Sequence, residues 1–107
     1  MAKKKLAPVG VDIKTMRKKM HNVMPLLKAI SNESRLLILC HLGQGELSVT
    51  ELWERFDLSQ SALSQHLAKL RKDGLVHTRR DSQTIYYSLA SPEAARLIEF
   101  LHSEYCK

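Results

Sequence analysis

The chain has 107 residues, enough for one hydrophobic core and too few for that core plus a separate catalytic domain. Lys and Arg number 17 against 11 Asp and Glu, a formal net charge of +6 that favours a polyanionic partner such as nucleic acid. The longest apolar run, Leu36 to Cys40, is far too short for a membrane span, and no signal-peptide pattern follows the basic start, so a cytoplasmic protein is expected.

Residues 1–10 carry Lys3, Lys4, Lys5, Pro8 and Gly10 without a periodic apolar face and read as a flexible basic tail; residues 11–107 read as one domain. From Ile13 onward, Met16, Met20, Val23, Leu27 and Ile30 recur at three- and four-residue spacing and predict a helix, which Pro25 is expected to kink or restart. Lys14, Arg17, Lys18, His21 and Lys28 make its other side polar, so the apolar stripe can bury against its own domain or a second subunit. Asn32 can cap a helix in which Leu36 to Cys40 are apolar on nearly all sides before Gly43, a pattern that belongs at the centre of the core.

Ser48 precedes Glu51 at capping-box spacing and opens a short helix holding Leu52, Trp53 and Phe56, with Asp57 and Leu58 as the turn. Ser59 caps the next helix, in which Leu63, Leu67 and Leu70 face inward, ending near Asp73 and Gly74. Leu75 to Arg80 and Thr84 to Leu89 then read as two short strands with Asp81, Ser82 and Gln83 as the tip. Ser91 and Pro92 start a last helix whose Ala95, Leu97, Ile98, Leu101 and Tyr105 keep helical spacing up to Cys106. The order is mainly α with a small β-hairpin, and it defines a winged helix-turn-helix.

A recognition helix needs short polar side chains on its exposed first turns, and Gln60, Ser61, Ser64 and Gln65 meet that need. Gln60 and Gln65 are candidates for bidentate contact with adenine, and Ser61 and Ser64 for phosphate or base. His66 and Lys69, with Arg71 and Lys72, lie near enough for phosphate contacts. Arg79 and Arg80 flank the wing tip, where a hairpin lays guanidinium groups along phosphates or into a narrow minor groove; one of the two can instead bond a carboxylate of its own domain. An ordinary solvated helix face carries the same residue types, but the wing and the net charge favour double-stranded DNA as the partner.

Cys40 and Cys106 are too far apart in sequence for a CxxC-type redox motif. In a reducing compartment they are either inert core residues or reversible redox or metal groups. Cys40 alone reads as a small core residue, whereas Cys106, at a helix end, reads as accessible, with Arg35, His41, His102 and Lys107 as candidates for lowering a thiol pKa. No nucleophile, base and orienting group occur at informative spacing, so no enzyme is expected.

The segments LKAISNESRLLILCHL, ELSVTEL, SQSALSQHLAKLRKDGLV and IYYSL resemble the ArsR/SmtB family of bacterial winged-helix repressors. One cysteine in the second helix and one near the C-terminal end resemble its thiol-switched branch. The resemblance implies a homodimer built through the first and last helices, bound to an inverted-repeat operator with a recognition helix in each of two successive major grooves. It also implies repression relieved when reactive sulfur species or oxidants form a reversible Cys40–Cys106 disulfide or polysulfide bridge.

Two departures from the family's metal sensors stand out. Ser48 and Thr50 occupy the segment where thiolate-type metal sensors carry cysteines. The last helix offers Glu93, Glu99, His102 and Glu104 without the Asp-x-His start of the zinc sensors. No metal or cofactor is therefore expected. The alternatives are a metal-responsive repressor using Cys106, His102 and His21, a virulence-gene activator that displaces a silencing protein, and an interaction module that has lost DNA binding.

Overall fold

Each helix begins where a side-chain oxygen can accept a hydrogen bond from the otherwise orphaned first-turn amides. In a computed structural model describing residues 12–106, the order is α1 (Ile13–Ile30), α2 (Glu33–Leu42), β1 (Leu47–Ser48), α3 (Val49–Arg55), α4 (Gln60–Lys72), β2 (Val76–Asp81), β3 (Thr84–Leu89) and α5 (Pro92–Tyr105). Asn32, Ser59 and Ser91 accept from Arg35, Ala62 and Ala94 at 3.0, 3.1 and 3.1 Å. Ser48 and Glu51 complete the expected capping box, at 3.1 and 3.0 Å. Asp12 adds a cap for α1, accepting from Thr15 at 2.7 Å. The expectation of a basic tail falls on residues outside those described.

Several details differ from the sequence reading, among them Leu37, which is exposed on α2 although the run Leu36 to Cys40 was expected at the centre of the core. Pro25 does not restart α1, which runs unbroken through it. Its missing N–H removes one helical bond, but Leu26 and Ala29 are buried and hold the last turn against the core. Phe56 lies just outside α3 as its extended C-cap. The hairpin gains a third strand, because Leu47 and Ser48 pair antiparallel with Tyr87 and Tyr86, giving the order β1-β3-β2.

Asp81 pairs with Thr84, so the wing turn contracts to Ser82 and Gln83, with Ser82 in the left-handed region at φ 58°. Ile38, Leu39, Leu52, Leu63, Leu67, Leu70 and Ile98 form the fully buried centre, drawn from α2, α3, α4 and α5. Truncating such a leucine to alanine costs about 2–5 kcal/mol. These contacts fix the rotation of α4 and determine which of its residues face outward.

Candidate nucleic-acid interface and cysteine pair

Trp53 Nε1 donates to the Leu58 carbonyl at 3.0 Å and closes the turn between α3 and α4. With Leu63, Leu67 and Leu70 inward and each residue rotating the helix by about 100°, the opposite face carries Ser61, Ser64, Gln65, Ala68 and Lys72, all exposed. Gln60 is exposed at the first turn and shares a cleft with Ser64, Thr50 and Trp53. Toward the sheet, Ser64, Arg71, Lys72 and Tyr87 line a second cleft of about 500 Å³.

Two of the expected contacts sit off this face. His66 is half-buried on the flank that also carries Lys69, and Lys69 pairs with Asp73 at 3.6 Å. Lys69 and Asp73 line a groove with His21 and Lys28 of α1 and Arg35 of α2.

Strand alternation separates the two arginines of the wing. Arg80 pairs with Ile85 and shares a face with Val76, Thr78 and Tyr87, the face that meets α4. It has no carboxylate partner among the described residues. Arg79 lies on the other face, over the Tyr86 ring at 4.5 Å, and grips Glu46 with Nε to Oε2 at 3.1 Å and Nη2 to Oε1 at 2.7 Å. The Arg79 hydrogen bonds hold the Glu46 carboxyl below its usual range, and the same bonds raise Arg79. Sequence reasoning allowed for such a carboxylate but missed Glu46 and Tyr86, since a pairing 33 residues apart leaves no local signal.

Cys40 is half-buried on α2, and Cys106 is exposed as the C-cap of α5, its N–H donating to the His102 carbonyl at 2.9 Å. Both are free thiols. Burial pushes the Cys40 thiol up, with a smaller rise in the same direction from Cys106. The end of α2 rests on α5 closely enough that a Cβ on Gly43 would lie 3.0 Å from Ile98 Cγ2. His41 is engaged elsewhere, its Nδ1 2.9 Å from the Leu37 carbonyl and its ring edge-on to Phe56.

Among the described residues no three His, Cys, Asp or Glu side chains gather as a metal site, so His21, His102 and Cys106 are not brought together within one chain. None of the described helices is long and apolar enough to cross a membrane.

A short helix, a locked turn and a second helix with a polar outward face, followed by a basic wing, define a winged helix-turn-helix. Residues 32–78 match the family model described as bacterial regulatory protein, arsR family. The chain is 54% identical over 97 residues to the transcriptional activator HlyU of Vibrio cholerae, covering 91% of this chain and 90% of that protein. The structure of reduced HlyU from the same organism superposes with a TM-score of 0.84 at 55% identity, covering 89% of this chain and 100% of that one.

The biofilm growth-associated repressor of Agrobacterium fabrum is 44% identical over 96 residues, 90% of this chain and 82% of that protein. A homodimeric winged helix-turn-helix DNA-binding domain from Mycobacterium bovis, described as a possible ArsR-family regulator, matches at 29% identity with a TM-score of 0.73, covering 90% and 88% of the two chains. The chain belongs to the ArsR family and is one of its transcriptional regulators.

Proposed function

We propose that the chain is a homodimeric repressor that holds an inverted-repeat operator when reduced and releases it when Cys40 and Cys106 become linked. The observation that supports this reading is the packing of α2 against α5, the two elements that bear the half-buried Cys40 and the exposed Cys106, both free thiols. Cys106, exposed at a helix end, takes the first attack on an oxidant, and Cys40, kept protonated by burial, resolves it.

With an organic persulfide the balance is complete: the Cys106 thiolate displaces a thiolate from RSSH and becomes a persulfide. Cys40 then loses its proton, attacks the Cys106 sulfur and expels hydrosulfide. One RSSH and two thiols thus yield one disulfide, one RSH and one hydrogen sulfide. A second sulfane sulfur would leave a polysulfide in place of the disulfide.

On the DNA side, Gln60 and Gln65 read base edges, Ser61 and Ser64 touch phosphate or base, and Arg80 lies along the backbone. Arg79, His66 and Lys69 support the surface from its edges. Dimerisation through α1 and α5 is favoured by the apolar side chains they expose, Ile13, Met20, Met24, Leu27, Phe100 and Tyr105. A twofold dimer aligns two recognition helices about 34 Å apart, so a link that shifts α5 against α2 misaligns both. The link acts only if the DNA-bound shape accommodates it less well.

Cys40→Ser and Cys106→Ser each keep reduced operator binding and lose the response to a persulfide donor. A single-cysteine variant that the donor still releases from DNA sinks the mechanism. The activator name of the Vibrio cholerae relative favours a second reading, in which the same bound dimer displaces a silencing protein. Transcription assays with and without such a silencer separate the two.

A further inference from the structure

The wing is held unevenly. Among the described residues, in the order β1-β3-β2, the outer strand β2 pairs only with β3, and β1 supports β3 only at Tyr86 and Tyr87. Beyond that point the hairpin, Arg80 included, has strand pairing alone, and a two-stranded hairpin by itself is marginal in water. Arg79 supplies the missing tie. From β2 its side chain crosses β3 over the Tyr86 ring and reaches Glu46, in the loop before β1, so one side chain straps all three strands.

Two parallel N–H to carboxylate bonds fix the guanidinium plane, and the aromatic ring beneath restricts its rotation. On the same sheet face, His77 Nε2 and Ser88 Oγ sit 2.8 Å apart and tie β2 to β3 nearer the domain. We propose that Glu46 and Tyr86 are positioning residues for DNA binding: by holding Arg79 on the sheet face away from α4, they set the angle at which Arg80 meets the phosphate backbone. Neither residue needs to touch DNA.

Because the pair is exposed, it contributes little to global stability, so orientation and stability separate in experiment. The test measures operator affinity of the full chain over a range of salt, beside urea denaturation. Glu46→Gln weakens operator binding about tenfold, leaves the denaturation midpoint unmoved and leaves the salt slope unchanged. Arg80→Gln makes the log–log salt slope shallower by about 0.9 per protomer, the loss of one phosphate contact. Tyr86→Leu, which removes the ring beneath the guanidinium, weakens operator binding in the same way.

Tighter binding and a steeper slope in Glu46→Gln overturn the proposal, since they make Arg79 a DNA contact that Glu46 restrains. Unchanged affinity in Glu46→Gln overturns it as well, as does a loss of affinity that merely follows a loss of folding stability.

Discussion

Cys40 shows how one residue type takes its chemistry from its surroundings. On an exposed strand it would be an ordinary thiol; on α2 its burial first, and Cys106 second, favour the protonated form. A raised folded-state pKa contributes stability that is fully present below the unfolded value, about 8.5, and is lost as pH rises through the folded value. Site-resolved alkylation against pH therefore gives a Cys40 midpoint above that of the unfolded chain. Cys106→Ser lowers this midpoint part of the way, because burial remains; an unmoved midpoint contradicts the proximity of the thiols. Sequence alone offered Cys40 as a core residue or a switch, and only the fold shows that the helix carrying it packs on α5, the helix that ends at Cys106. Arg79 was similarly ambiguous, since a strand's alternation assigns faces but does not identify the carboxylate waiting on one of them.

At the scale of elements, the helices were legible because their signals are local. Asn32, Ser48, Ser59 and Ser91 all cap as their spacing indicates, and Leu63, Leu67 and Leu70 orient α4 through helical periodicity alone. Strand β1 was not legible, because two residues cannot display alternation and Leu47 gains its strand geometry from Tyr87 across the sheet. Pro25 misled in the other direction: its local cost is overridden by the burial of Leu26 and Ala29. The cap most closely tied to function is Ser59, which orders the turn bearing Gln60 and Ser61. Ser59→Ala destabilises the protein by about 1 kcal/mol in urea denaturation. It also weakens operator binding in conditions where the domain is still fully folded; an unchanged affinity there removes the first turn of α4 from the interface.

Across the whole molecule, charge and apolar surface divide the labour. One side of α1 carries Lys14, Arg17, Lys18, His21 and Lys28, while an adjacent stripe exposes Ile13, Met20, Met24 and Leu27. Phe100, 57% exposed on α5, is an apolar side chain there that the proposed dimer would cover. Phe100→Asp shifts the protein to a monomer in sedimentation analysis and weakens operator binding, because a monomer loses the second half-site. A variant that remains dimeric places the interface elsewhere.

In the proposed mechanism, linkage of Cys40 to Cys106 governs DNA binding. The most direct measurement is mass spectrometry of the reduced protein after treatment with a persulfide donor, a disulfide oxidant or peroxide, with operator affinity measured on each product. A Cys40–Cys106 bridge whose extent tracks the loss of operator binding, and whose reduction restores it, is the predicted result. Full operator affinity in the bridged protein, or release from DNA with both thiols unmodified, would contradict it.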